Sequence, residues 1–437
     1  WDMWSCDPRR FTAFAAAPDY CVAKGMEIYG NEYAIQFPRH AWPAGRDRKH
    51  SPLHGRIKAL GAQFDAYNGW ERATWYAQAG DDTSEEATLT FRRDGPWHRR
   101  VREECLAVRD AAGILDLPGF SRFNLEGPGA AEWLALQVTG LVPKPGRIGL
   151  VYFADDKGRI VTEMSVVRHA EEQMTLITAA VAQWHDFEWL KSRIPADAAF
   201  TLTDRTEEYS TQILAGPNSR KILAEVCGAD LSLPWLTHQE TTIAGRWTKL
   251  IRVSFAGELG WEIHTRVADT PAVFDAIWAA GQKHGLKPFG MYALDSLRLE
   301  KGYRAWKGDL STDYSILQGG LDRFVKWDKP DFRGKAALAN EKQQGVKKRF
   351  VTLVVENSGD CDAPYMSTLW HGGKVVGETT SGNWGYRVGK SIALGMLSAD
   401  LTVPGTEIEV EIYGDRFKAI VQPDGPLFDP NNERLRA

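Results

Sequence analysis

The sequence predicts an α+β architecture whose strands come in antiparallel pairs, followed by a small antiparallel β-barrel. Two observations carry that prediction. From Trp97 to Asn340, strand-like runs arrive in twos, joined by polar turns and set between helical stretches, which is not a string of βαβ units. From Phe350 onward nearly every run is strand-like: V-T-L-V-V, K-V-V-G-E-T-T-S, I-A-L-G-M-L, E-I-E-V-E-I-Y and F-K-A-I-V follow one another across Gly, Pro and Asp turns. With 437 residues the chain has room for two or three domains. The expected divisions are 1–95, 96–345 and 346–437.

Residues 1–95 are irregular and rich in aromatics and charges, and they read as a connector. The opening W-D-M-W-S-C-D-P-R-R-F lacks an initiator Met and any signal-peptide pattern, so it reads as a fragment or as a chain with an upstream part removed. Lys24 to Phe37 holds a helix end or a strand. The run P-R-H-A-W-P-A-G-R-D-R-K-H-S-P-L-H, with three prolines, reads as extended chain crossing a surface. Gly61 to Tyr76 is aromatic without clear periodicity and is expected to pack against another domain. Asp81 to Glu86 is an acidic loop.

The second division begins with Val101, Cys105, Val108 and Ala112 at helical spacing, a helix ended by Gly113. Ser121 to Leu125 is a strand, and Pro128-Gly129-Ala130 opens a second helix. Gly149 to Phe153 and Ile160 to Arg168 are strands joined by A-D-D-K-G-R. Met174 to Ala179 is a strand, Ala182 to Arg193 a helix, Thr211 to Ala215 a strand, and Asn218 to Cys227 a helix. Trp247 to Ile263 reads as a hairpin whose first strand runs through Phe255 and whose turn passes Gly257 and Gly260, glycines that supply positive φ. Helices are expected from Thr270 to His284 and from Gly290 to Gly302, and Phe332 to Asn340 closes the region.

Composition excludes several classes of function. Hydrophobic residues make up 43% and charged residues 25%, the balance of a globular protein. A net charge of −4 gives no general attraction to nucleic acid or anionic membrane. The apolar runs fall far short of the ~20 residues that span a bilayer. Five cysteines without C-x-x-C suggest neither a disulfide framework nor a zinc site and fit a reducing compartment. The histidines show no ligand spacing, so no metal is expected. G-x-S-x-G, H-E-x-x-H, the P-loop and G-x-G-x-x-G are all missing.

A few residues invite chemistry. On V-T-E-M-S-V-V, Glu163, Ser165 and Val167 share one face and Thr162, Met164 and Val166 the other. Glu163 is a partly buried acid with a raised pKa if the strand is central, and a solvated one if it is an edge. Glu262, beside Trp261, suits recognition of a flat, hydrogen-bonding heterocycle, or is a solvated acid on a surface hairpin. Arg298 is either a packed ion pair with Glu300 or Asp295, or a fork for a carboxylate. Arg304, Lys307 and Asp309 read as a solvated charged loop.

The order of the pieces G-I-L-D-L, F-S-R-F-N-L-E-G-P-G-A, G-E-L-G-W-E-I, A-L-D-S-L-R-L-E-K-G-Y and T-T-S-G-N-W-G-Y-R-V-G-K-S-I-A-L-G resembles the folate-binding aminomethyltransferase (glycine cleavage T-protein) family from about Trp97 onward. The R-R-F start, S-P-L-H and G-W-E-R-x-x-W-Y are similar to the linker region of dimethylglycine/sarcosine dehydrogenases, in which a flavin-binding half precedes the T-protein-like half. The resemblance implies a T-protein-like folate-binding domain with a C-terminal barrel, and residues 1–95 as the connector from a flavin oxidoreductase half. It implies tetrahydrofolate as cofactor, with FAD only on the upstream half. It gives Glu163 the place of a catalytic aspartate, with an arm longer by a methylene, and Glu262 the acid that holds the pterin ring. Arg298, Phe255 (where a tyrosine is frequent), Trp261 and Tyr386 fall to the folate pocket. The implied function is transfer to tetrahydrofolate of the one-carbon unit, formaldehyde or an iminium, released in N-demethylation of a methylated amine. The implied partner is a flavin oxidoreductase domain or subunit, in the cytoplasm or, in a eukaryote, the mitochondrial matrix. The alternatives are a stand-alone aminomethyl- or methyltransferase and a non-catalytic scaffold supporting a flavin subunit.

Overall fold

The computed structural model describes residues 13–34 and 37–437; the opening stretch to Thr12, and Ile35 and Gln36, lie outside the described residues. The first sheet has six strands, ordered His238–Ile243, Arg246–Ile251, Gly260–Arg266, Tyr209–Ala215, Ala112–Asp116 and Leu286–Pro288. Its neighbours are antiparallel except the last pair. The second sheet has five antiparallel strands, ordered Ile148–Ala154, Ile160–Ala170, Gln173–Thr178, Ser121–Glu126 and Thr201–Asp204. In the chain it is inserted between Ala112–Asp116 and Tyr209–Ala215. Six strands between Lys348 and Val421 close the C-terminal barrel.

Strand alternation sorts the faces of each sheet. In the first sheet, Ile114, Leu214, Trp261 and Ile263 bury against the helices Ser219–Val226 and Thr270–Gly281 through Ile222, Leu223, Val273, Phe274 and Ile277. Leu115, Ile213 and Ala215 face the opposite way, against the helices Pro96–Asp110 and Met291–Leu299, through Val101, Cys105, Val108, Leu294 and Leu297. In the second sheet, Met164 and Val166 bury with Leu134 and Leu190 of the helices Ala130–Gln137 and Gln183–Lys191. That leaves Glu163, Ser165 and Val167 on the other face. The two sheets meet where Ile148, Val167 and Ile177 of the second pack on Ile251 of the first.

Several expectations are corrected. The helix expected to reach Gly113 ends at Asp110, and Ala112–Asp116 is a central strand. Every residue of that strand is buried, so no alternation marks it. The aromatic stretch 61–76 is a hairpin of Ala62–Tyr67 and Trp70–Tyr76, and six of the seven residues in its second strand are buried, which again hides the period. The strand expected to reach Phe255 stops at Ile251. Arg252 turns inward there, its guanidinium donating to the carbonyls of Gly260, Leu435 and Ala437. The short strands Thr201–Asp204, His238–Ile243 and Leu286–Pro288 had no strong pattern of their own.

The stretch read as a connector is folded into the body well before residue 95. Leu53, Ile57, Ala62, Ala73 and Tyr76 share one core with Leu214 and Trp261. Glu104 fastens this hairpin: its carboxylate accepts from the N–H of Tyr76 at 2.8 Å and of Gly290 at 2.9 Å. No helix among the described residues is long and apolar enough to cross a membrane.

Candidate functional site

Glu163 and Glu262 lie on sheet faces turned toward one another. Glu163 shares its face with Val167, four residues or about 13 Å along the strand. Val167 packs with Ile251, and Ile251 is the cross-strand partner of Glu262. Glu163 and Glu262 therefore lie on the two sheet faces that meet at this apolar contact.

On the second sheet, Glu163 stands opposite Tyr152 across the strand pair. Burial pushes its pKa up to about 7, with a hydrogen bond from Tyr152 and the charge of Arg304 opposing. Tyr152 belongs to a cluster with Leu310, Ile316 and Leu321, so the 303–325 segment walls this end. Behind the strand, the fully buried Asp186 accepts from the hydroxyls of Thr162 at 2.9 Å and Thr178 at 2.5 Å, which fixes the backbone that carries Glu163.

On the first sheet, Glu262 Oε2 accepts from His264 Nε2 at 3.0 Å, and His264 Nδ1 accepts from Arg122 Nε at 3.3 Å. A ring that receives at Nδ1 and donates at Nε2 is neutral. Burial agrees, pushing the His264 pKa down to about 4, with Glu262 opposing and Arg122 adding. Glu262 Oε1 has no hydrogen-bond partner among the described residues, and Ser254 Oγ, buried beside Gly260, has none either. An open carboxylate oxygen and an orphaned hydroxyl suit the N–H and carbonyl edge of a heterocycle such as a pterin.

The turn that leads into the Glu262 strand is held by Glu258, which is buried and accepts from Arg434 Nε at 2.8 Å and Arg387 Nη1 at 3.3 Å. Gly257 has φ +75°, and a Cβ there would strike the Lys301 side chain at 2.4 Å. Phe255, ahead of this turn, is half-exposed and stacks on Tyr303 with centroids 5.8 Å apart.

Arg298 is spent on the protein itself. Its donors go to Asp295, to the Tyr303 carbonyl at 3.1 Å, to Asp309 Oδ2 at 2.6 Å and to Ser381 Oγ at 2.8 Å. Its partners are Asp295 and Asp309; Glu300 instead pairs with Arg387. Asp309, expected in a solvated loop, is fully buried and also accepts from Thr380 Oγ1 at 2.6 Å. The Arg298 network thus joins a helix, the 303–310 segment and the barrel.

Two predicted residues lie elsewhere. Trp261 is on the face opposite Glu262, fully buried in the core with Leu214 and Ile263, because neighbouring strand residues point to opposite sides. Tyr386 is buried against the helix Pro96–Asp110, its hydroxyl 2.8 Å from His98 Nδ1. Sequence reasoning missed Tyr152, His264 and Arg122. The i, i+2 spacing of Glu262 and His264 was the available signal for one of them; the others are long-range contacts.

Asp47, His50 and His54 bring ligand atoms within 4.8 Å of one another, but the two imidazoles stack at 4.0 Å. In-plane lone pairs of stacked rings run side by side and do not converge on one ion. A surface concavity lined by Arg220, Leu231, Pro234 and Ala437 includes neither Glu163 nor Glu262.

Comparison with known proteins bears on the whole chain. A model described as the GCVT N-terminal domain matches residues 53–329, and the glycine cleavage T-protein C-terminal barrel domain matches 348–429. An FAD dependent oxidoreductase central domain matches 1–51. The chain is similar to mitochondrial dimethylglycine dehydrogenase of Rattus norvegicus, 32% identical over 441 residues, covering 100% of this chain and 51% of that protein. It is 31% identical over 490 residues to mitochondrial sarcosine dehydrogenase of Homo sapiens, covering 100% of this chain and 52% of the other. The chain spans about half the length of these curated relatives. Among solved structures, glycine cleavage system aminomethyltransferase T from Bartonella henselae matches with a TM-score of 0.76 at 23% identity, over 87% of this chain and 98% of that one, which shows the fold.

Proposed function

The chain belongs to the glycine cleavage T-protein family, and on that premise we propose that it is the tetrahydrofolate-binding module of an N-demethylating enzyme of the dimethylglycine/sarcosine dehydrogenase kind. It takes up the one-carbon unit released when a methylated amine is oxidised. FAD and the oxidation belong to a flavin oxidoreductase half or subunit; the match of residues 1–51 to an oxidoreductase central domain supports that arrangement.

The observation that carries this reading is that Glu163 and Glu262 lie on the two sheet faces that meet at Val167 and Ile251. Tetrahydrofolate, when bound, supplies the nitrogens that accept the one-carbon unit. Glu262 and Ser254 hold the heterocycle by its edge, and the exposed ring of Phe255 covers apolar surface beside it. Glu163, with its pKa pushed up to about 7, holds or releases a proton near neutral pH at the reacting end. Tyr152, opposite Glu163 across the strand pair, opposes that rise and favours the charged carboxylate. Arg298 holds its helix to the 303–310 segment and the barrel and touches no ligand.

Calorimetric titration with tetrahydrofolate tests the reading. We expect binding to the native chain and its loss in Glu262→Ala. A well-folded chain that binds no tetrahydrofolate would leave a scaffold function. Formaldehyde capture in the presence of tetrahydrofolate is expected to fall in Glu163→Gln with the fold intact.

A further inference from the structure

Arg122 is a buried arginine whose charge has no carboxylate within ion-pair distance among the described residues. Its Nη1 donates to the carbonyls of Phe120 and Tyr209, both at 3.2 Å, its Nη2 to Thr211 Oγ1, and its Nε to His264 Nδ1. The acid whose charge acts on it is Glu262, and His264 stands between them. The three side chains come from two sheets: Arg122 from Ser121–Glu126, His264 and Glu262 from Gly260–Arg266. A buried guanidinium without an anion is costly unless its charge is answered nearby, and a neutral imidazole can pass that interaction on through its two nitrogens.

We propose that Arg122 and His264 form a positioning relay, Arg122 Nε–H to His264 Nδ1 and His264 Nε2–H to Glu262 Oε2, which fixes the Glu262 carboxylate and leaves Oε1 uncommitted for an N–H donor on the edge of a bound heterocycle. This deepens the folate reading and rests on it for the identity of the ligand. The relay explains why Glu262 keeps one orientation although its strand neighbour Trp261 gives it no support. It also ties the ligand wall of the first sheet to the Arg122 strand of the second. His264 touches no ligand in this scheme; it acts through Glu262.

Two measurements decide it. Imidazole 15N NMR on the native chain reads the ring state without any ligand. The charged groups facing His264 are Arg122, Glu262 and Lys249, the last being its cross-strand neighbour. We expect the neutral Nε2–H tautomer across about pH 5 to 8; an Nδ1–H tautomer, or a ring protonated at neutral pH, overturns the relay. Tetrahydrofolate titration then compares two variants whose melting temperatures are recorded in parallel. His264→Leu is expected to weaken binding about tenfold. His264→Gln is expected to recover most of that loss, because a carboxamide also pairs an acceptor with a donor. A folded His264→Leu that binds like the native chain overturns the proposal, as does a glutamine variant no better than leucine. If the native chain binds no tetrahydrofolate, the folate reading fails, while the tautomer still decides the relay.

Discussion

Arg298 Nη1 lies 2.6 Å from Asp309 Oδ2, with 5% and 0% of the two side chains exposed. Removing one member of such a pair leaves a buried charge short of its partner. Asp309→Ala also strips an acceptor from Thr380 Oγ1 and from the Ala305 N–H. We expect a loss of about 3 kcal/mol in unfolding free energy, measured by urea denaturation. A loss near zero would mean that Asp295 alone compensates Arg298.

Glu163 should leave a mark on pH-dependent stability. Burial pushes its pKa from 4.5 up to about 7. The folded state thus holds a proton that the unfolded state releases. Its contribution is favourable below the unfolded value and is lost as pH rises from about 4.5 through 7. Glu163→Gln is expected to flatten this part of the curve and to be more stable than the native chain at pH 8, relative to pH 5. Parallel curves for the two proteins would place Glu163 in water.

Phe255 stacks on Tyr303 while keeping 37% of its surface exposed. Phe255→Ala removes one ring of the pair and little core. We expect a stability change below about 1 kcal/mol and a roughly tenfold weaker tetrahydrofolate affinity. Equal affinities in calorimetry would remove the ring from the binding surface.

Glu104 accepts two backbone N–H groups, from Tyr76 and Gly290, in a fully buried position. Glu104→Ala orphans both donors. We expect about 3 kcal/mol of destabilisation and faster proteolysis within residues 53–76, read by mass spectrometry. Unchanged cleavage there would show that the hydrophobic core alone holds the hairpin.

The fold was legible where a strand or helix has one wet face. Ile160–Ala170 alternates at its centre because Met164 and Val166 are fully buried while Glu163 and Ser165 are only half-buried. The barrel runs alternate for the same reason, as in Glu407–Ile412, where Ile408, Val410 and Ile412 point inward. Ala112–Asp116 and Trp70–Tyr76 were illegible because both of their faces are covered, so burial leaves no period in the letters.

By itself the sequence determined the class of fold and the order of its parts, and it singled out two acids, Glu163 and Glu262, because local periodicity and residue order are written along the chain. Only the tertiary structure decided which side chains come together. It turned Trp261 away from Glu262, committed Arg298 to Asp295 and Asp309, and placed Arg122 behind His264, 142 positions away in the chain. The physical reason is that a side chain's partners are set by sheet face and register. A single-residue step reverses the face, and neighbours brought together by register come from distant segments that no local pattern records.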